Sequence, residues 1–244
     1  MAIRGVIHFH SNYSYDGCDS IDDIVAFLKK RGCSFLFLTE HDDDFDQEKM
    51  DRFIRDCERI SSSDFLIVPG IEFRCKNKVH ILGLGIKNFI KVNDPCQAAE
   101  KIKAFGGRAV IAHPMGYLDH ISEKLIRIVD GVEIWNGHKD GKVAPDYRII
   151  REYSKWLSVN PGISSLCGAD HHGIEGYFPI ETIIEDVKNL NYPYIWDKLR
   201  APLKIKGKYF EFQKIYEDSI SHYVFLCLVR LARQAWHKLD AVAG

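Results

Sequence analysis

The 244-residue chain lacks paired cysteines, a long apolar run and an excess of either charge. Its seven cysteines (18, 33, 57, 75, 96, 167 and 227) form no Cys-x-x-Cys pair and no even framework. A disulfide scaffold is therefore not indicated, and free thiols in a reducing cytoplasm are expected. Met-Ala-Ile-Arg-Gly leads directly into a strand-like run, which leaves no room for a signal peptide. The longest wholly apolar stretch, Tyr223 to Val229, falls far short of the about 20 residues that a membrane-spanning helix needs. A net charge of −1 gives no global field toward nucleic acid or an anionic membrane, although a local basic patch can still occur. Neither an internal repeat nor a low-complexity segment is visible.

What is present is an ordinary globular composition, long enough for one α/β barrel. Residues 1 to about 186 alternate apolar runs with more polar, helix-like stretches. The runs are Gly5–Phe9, Ser34–Leu38, Phe65–Ile71, His80–Ile86, Ala109–Ala112, Gly131–Trp135 and Ile163–Ala169. Runs of this kind suit strands buried on both faces. Helices are expected over Ser20–Arg31, Gln47–Ile60, Pro95–Phe105, Glu123–Val129 and Pro145–Leu157, with Ser20 as an N-cap. This β-α-β-α order argues for parallel strands joined by helical crossovers.

The polar residues fall at particular places on these runs. His8 and His10 close the first, Glu40 and His41 follow the second, and Glu72 follows Leu66–Ile71. His113 follows Ala109–Ala112, and Asp170 follows Leu166–Ala169. Parallel barrels build their active sites at that edge, where strand ends converge and loops leave room for a ligand. His8 and His10, two apart on a strand, are expected to share a face. Asp170 and His172 repeat that spacing, Asp16 lies in a loop beside His41, and His80 adds another imidazole. Such a set holds more donors than one four-coordinate ion takes, which points to two or three divalent cations. Glu72 can bridge two of them, each oxygen serving one. Paired cations suit phosphate esters, because they polarise the phosphoryl group, activate a water and stabilise the leaving oxygen.

Other residues carry two readings each. Asn136 either touches the substrate or attacking water, or caps a loop. Arg74 either binds a phosphate oxygen bidentately or makes a surface ion pair. His138, with Lys139 and Lys142 nearby, is a candidate substrate contact, and His171 should point away from its neighbours. The Asp42-Asp43-Asp44 run reads as a solvated loop that caps the next helix. Residues 187 to 244 read as an appendage: a basic, aromatic segment from Asn191 to Phe212, then an amphipathic helix from Tyr216 to Leu239. The segment either packs on the barrel or stacks single-stranded nucleic acid. The helix either closes the barrel, makes a homodimer, or lies on a membrane or a partner.

His-x-His with Ser-x-Asp-Gly, then Thr-Glu-His, Pro-Gly-Ile-Glu, His-Ile-Leu-Gly, Ala-His-Pro, Glu-Ile-Trp-Asn and Gly-Ala-Asp-His-His resemble the polymerase and histidinol phosphatase (PHP) family. The motifs keep that family's order from about residue 5 to 175. The resemblance implies a distorted seven-stranded (βα) barrel, TIM-like, with a trinuclear site of manganese, zinc or iron, here carrying a C-terminal helical extension. It implies His8, His10, Glu72 and Asp170 on one metal, Glu72, His80 and His113 on a second, and Asp16, His41 and His172 on the third. Glu40 stands where the family often has Asp and supports the site from behind it. Asp16 stands where some members have His, and a carboxylate there favours a harder ion.

The activity so implied is hydrolysis of a small-molecule phosphate mono- or diester by metal-activated water, with Glu72, Asp170 and His172 at the reaction. Two alternatives stand beside it: a nuclease of the same chemistry, and a non-catalytic metal-stabilised regulatory module.

Overall fold

A computed structural model describes residues 2–43, 45–199, 204–208, 211–213, 225–229 and 231–232. The chain opens with β1 (Ile3–Phe9), α1 (Ile21–Lys30), β2 (Phe35–Leu38), β3 (Glu40–His41) and α2 (Gln47–Ile60). Next come β4 (Leu66–Val68), β5 (Gly70–Arg74), β6 (His80–Leu84), α3 (Pro95–Ala104) and β7 (Arg108–Ile111). Then follow α4 (Glu123–Ile128), β8 (Gly131–Asn136), α5 (Tyr147–Val159) and β9 (Ser164–Gly168). The last named elements are β10 (Glu181–Ile184), α6 (Tyr192–Leu199), β11 (Lys204–Lys206) and β12 (Glu211–Gln213).

Local chemistry sets the helix starts. Ser20 accepts from the Asp23 N–H at α1, and Ser122 does the same for Leu125 at α4. At α2 the cap is Asp46, which accepts from Lys49. The expected cap in the Asp42–Asp44 run is corrected accordingly: Asp42 accepts from the Arg74 N–H, and Asp43 pairs with the Arg74 side chain. Each helix buries one stripe: Ile24, Val25 and Leu28 from α1, and Met50, Phe53 and Cys57 from α2. Phe9, Phe35, Phe37, Phe65 and Phe73 supply much of the core they meet. Each fully buried side chain of this size contributes about 1.5–3 kcal/mol.

The strands fall into two six-stranded sheets, ordered β12-β11-β10-β1-β2-β4 and β3-β5-β6-β7-β8-β9. The chain crosses from one sheet to the other at Thr39 and at Pro69. Pro69 has no N–H to give, so the expected continuous run Phe65–Ile71 breaks there into β4 and β5. Backbone hydrogen bonds also join the sheets, from Ala169 to Ile7, from Asp170 to His8 and from His10 to His171. The fold is thus mixed α/β in the manner of a TIM-like barrel.

The all-parallel expectation also needs correcting. β6 runs antiparallel to both β5 and β7, because Asn77 and Lys78 (φ 58° and 62°) make a tight reversal instead of a helical crossover. β11 and β12 continue the first sheet beyond residue 186, β11 pairing antiparallel with β10 and β12 with β11. The basic, aromatic segment is partly interior, with Ile195, Trp196 and Leu199 buried. Most of the expected Tyr216–Leu239 helix lies outside the described residues. Residues 225–229 and 231–232 are helical, and Leu226 is the buried position while Leu228 and Leu231 are exposed. Among the described residues, no helix is long and apolar enough to cross a membrane.

Candidate metal centre

The first two candidate ligands leave β1 at a bulge. Ile7 pairs with Phe37 and Phe9 with Leu38, so His8 is an extra residue, and its φ is 65°. The expected regular pleat therefore does not aim these imidazoles; the bulge does. Their Nε2 atoms converge to 3.1 Å. His113 (φ 26°) and Asp170 (φ 55°) also sit in the left-handed region. Such backbone costs on the order of 1–3 kcal/mol per residue and persists where neighbours over-determine it. Here the Asp170 N–H donates to His8 O (2.7 Å), and the His113 N–H to Glu133 Oε2 (2.8 Å).

Glu72, in the middle of β5, is the hub. Its Oε1 lies 2.8 Å from His80 Nδ1 and 2.9 Å from His113 Nε2. Its Oε2 lies 3.5 Å from His8 Nε2, 3.5 Å from His10 Nε2 and 3.2 Å from His41 Nδ1. The antiparallel course of β6 explains how His80 reaches this edge. It begins its strand where the other candidates end theirs, and pairs across from Arg74. Asp170 Oδ1 approaches His8 and His10 at 3.5 and 3.4 Å. Asp16 closes the outer side, with Oδ1 3.4 Å from His41 Nε2 and Oδ2 3.5 Å from His172 Nε2.

The donor set has the chemistry that divalent cations require. His8, His10 and Glu72 offer one group of converging atoms, Glu72, His80 and His113 a second, and His10, His41 and His172 a third. Asp170 Oδ2 and Asp16 Oδ1 are buried without a hydrogen-bond partner among the described residues. Nδ1 of His8 faces Glu133 Oε1 at 2.8 Å, so the proton belongs there and Nε2 is left for a cation.

Electrostatics bind the cluster together even without cations. Burial opposes charge on His8, but the carboxylates of Glu133, Asp170 and Glu72 outweigh it and raise its pKa well above the ordinary value. His41 and His113 are raised likewise, burial again being overcome by Glu72. His10 goes the other way, lowered to about 4 by burial. Burial would raise Glu72, yet His8, His113 and His41 hold it well below the usual carboxylate range.

A second ring of residues fixes the first. Glu40 accepts from the Ser11 N–H, the Ser11 hydroxyl and the Ser14 hydroxyl, and Ser14 Oγ accepts from the His41 N–H. Burial nevertheless pushes the Glu40 carboxyl up to about 7. Glu133 was given no role from sequence, yet it is fully buried and holds His8, the His113 backbone and the Asn136 amide together. The available signal was a glutamate inside the apolar run Val132–Trp135. Tyr117 was also missed; its hydroxyl donates to Ala112 O beside His113 and accepts from the His80 N–H.

A cleft of about 380 Å³ opens on the cluster, lined by Asp16, His41, Glu72, His80, His113, Asp170 and His172, with Tyr15, Arg74, His138 and Lys139 at its walls. His138 is thus brought to the site. Arg74 lines the cleft and also pairs with Asp43 at 2.8 Å. Asn136 is fully buried and does not line the cleft; its Oδ1 accepts from the His138 and Lys139 N–H groups. His171 points away, with Nε2 against Phe178 O at 2.9 Å and its ring stacked on Tyr177.

Histidines and carboxylates gathered at one strand edge of an α/β fold, around a shared glutamate, define a class of proteins built to hold metal ions. Within that class, the chain belongs to the PHP domain family, which it matches over residues 7–215. No curated protein matches it. Its fold is similar to that of a two-domain protein from Bacteroides vulgatus containing a predicted PHP-like metal-dependent phosphoesterase (TM-score 0.63, 17% identity, covering 84% of this chain). The chain spans only 65% of the length of that protein. An amidohydrolase from Chromobacterium violaceum, with bound sulfate and no metal, is also similar (TM-score 0.53, 18% identity, covering 82% of this chain and 96% of the other). So is a protein from Bifidobacterium adolescentis assigned as a metal-dependent phosphoesterase (TM-score 0.50, 15% identity, covering 69% and 87%).

Proposed function

We propose that this chain is a metal-dependent phosphoesterase that hydrolyses a small-molecule phosphate mono- or diester. The observation that carries the reading is the placement of Glu72, whose two oxygens face different sets of imidazoles. That arrangement suits a carboxylate bridging two cations. His8, His10, Glu72 and Asp170 would hold one cation, Glu72, His80 and His113 a second, and Asp16, His41 and His172 a third. Two or three ions of manganese, zinc or iron fit these nitrogen and oxygen donors. When bound, they supply the positive charge that polarises a phosphoryl group and acidifies an attacking water.

The chain's own residues do the rest. Glu133 orients the His8 ring, while Glu40, through Ser11 and Ser14, fixes the loop that carries Asp16. Glu72, Asp170 and His172 line the cleft, where they would stand beside the reacting atoms. Arg74 and His138 stand at the cleft wall as substrate contacts, and Asn136 contributes from behind it.

We also take the two sheets as parts of one distorted seven-stranded barrel over residues 1–186, supported by the backbone bonds between residues 7–10 and 169–171. Residues 187–244 would pack on it, their helix being the candidate homodimer contact. A cytoplasmic setting is supported by seven free cysteines. A small-molecule ester is favoured over nucleic acid because Trp196 is buried and Tyr192, half-buried, spends its hydroxyl on Leu84 O, which leaves less aromatic surface for stacking bases. The sulfate held by the C. violaceum relative agrees with a tetrahedral anion as ligand.

The deciding experiment is metal analysis of the purified protein, then assays on p-nitrophenyl phosphate, bis(p-nitrophenyl) phosphate and a metabolite panel with manganese added. Hydrolysis abolished by Glu72→Ala is expected. A metal-loaded protein inert toward every ester would instead favour the non-catalytic, metal-stabilised module.

A further inference from the structure

Two long cationic side chains line the cleft, Arg74 and Lys139, and they differ in what already holds them. Arg74 Nη2 lies 2.8 Å from Asp43 Oδ2 and 3.5 Å from the Tyr15 hydroxyl. Among the described residues, no carboxylate stands within ion-pair distance of Lys139. Its side chain faces a cleft otherwise lined by Asp16, Glu72 and Asp170, yet it pairs with none of them.

The backbone of Lys139 is fixed all the same. Its N–H donates to Asn136 Oδ1 at 3.0 Å, and the His138 N–H donates to the same oxygen at 3.1 Å. The other end of the Asn136 amide donates to Glu133 Oε2 at 2.9 Å. Glu133 also orients His8 and the His113 backbone. One buried carboxylate therefore ties the metal centre to the loop that presents Lys139.

Resting on the phosphoesterase reading above, we propose that Lys139 is the anion-reading residue of the cleft, that Asn136 positions it, and that the pair favours phosphomonoesters over diesters. A terminal phosphoryl group carries about −1.5 to −2 charge at pH 7 and presents three strong acceptor oxygens. A diester has one ionisable oxygen fewer. Cations held by the cluster would supply charge at the reacting side, and the additional charged oxygen of a monoester calls for one more donor. An ammonium with three N–H groups and no carboxylate of its own supplies it. Arg74 would first have to give up Asp43.

The test uses zinc-loaded full-length protein as wild type, Lys139→Gln, Lys139→Arg, Arg74→Gln and Asn136→Ala. Inorganic phosphate binding is measured by calorimetry from pH 5.5 to 8, and KM is measured for p-nitrophenyl phosphate and bis(p-nitrophenyl) phosphate. Lys139→Gln is expected to weaken phosphate binding about tenfold and to raise the monoester KM similarly, with less than a twofold change for the diester. Lys139→Arg should restore most of both. Wild-type affinity should rise as inorganic phosphate passes from the monoanion to the dianion, at about pH 7, and Lys139→Gln should flatten that rise. Asn136→Ala should shift the monoester KM in the same direction, by about threefold.

Phosphate binding unchanged in Lys139→Gln, equal effects on both esters, or a larger loss in Arg74→Gln would each overturn the proposal. Lys139 is exposed, so its variants do not endanger folding. If the wild type hydrolyses neither ester, the phosphoesterase reading fails, while the phosphate-binding comparison still decides the role of Lys139.

Discussion

Oε1 of Glu133 lies 2.8 Å from Nδ1 of His8, so a carboxylate on β8 sets the ring of a histidine on β1. The same side chain accepts from the His113 N–H and the Asn136 amide, and all of this happens out of contact with water. Partners of this kind decide which imidazole nitrogen faces a metal, and losing them typically weakens metal binding by about 10–100-fold.

Glu133→Gln should therefore lower metal affinity by about 10–100-fold while leaving every candidate ligand in place. Competition titration against a chromophoric chelator measures this. Glu133→Ala should also lower stability by roughly 2–4 kcal/mol, because it strands buried donors. Unchanged affinity in both variants would remove Glu133 from the site.

Gly168 gives the same result by another route. A Cβ there would stand 1.9 Å from Glu133 Oε1, so the carboxylate could make way only by leaving its partners His8, His113 and Asn136. Gly168→Ala should cost about 1–3 kcal/mol in denaturant unfolding and weaken metal binding as Glu133→Gln does. Ordinary affinity in a destabilised variant would mean that Glu133 can move without consequence.

Glu72 predicts stoichiometry. Glu72→Ala removes the residue shared by two of the proposed cation positions and should reduce bound metal by at least one ion per chain, as read by elemental analysis. His80→Ala, at one position alone, should cost less. Equal losses in the two variants would argue against a bridge.

Metal uptake should release protons. His8, His41 and His113 are raised above their ordinary pKa by neighbouring carboxylates against the effect of burial, so without a cation they keep protons to higher pH than a free imidazole does. A cation must displace those protons, and its apparent affinity should fall as pH drops below 7 and rise above it. Calorimetry in buffers of different ionisation enthalpy should give heats that differ accordingly. Buffer-independent heats would contradict the protonated state.

Chelation should lower thermal stability. Ligands that bind only the folded chain stabilise it by mass action, about 4 kcal/mol at a thousandfold excess over Kd. A scanning melt with and without EDTA reads the difference, and the effect should shrink in Glu72→Ala.

Much of this site was legible because its ligands are chemically distinct and sit where apolar runs end. His41, Glu72, His113 and Asp170 follow that rule directly, and the helix limits followed from caps such as Ser20. Three features were hidden for identifiable reasons. The reversal of β6 depends on two positive-φ residues, Asn77 and Lys78, that carry no glycine to announce it. The bulge at His8 is a register event between β1 and β2, visible only once the strands pair. Glu133 faces inward from a strand otherwise hydrophobic, and a single acidic residue there reads from sequence as an exception rather than a support.

The bonds joining residues 7–10 to 169–171 also bear on when the site can exist. His8 and His10 leave the ribosome early, whereas Asp170 and His172 emerge only after every strand that contributes another candidate ligand. A growing chain thus exposes imidazoles long before it can enclose a cation with them. Capture at the positions that use Asp170 or His172 would be among the last events of folding, and an ion held there would certify that the chain has been made and assembled past residue 170.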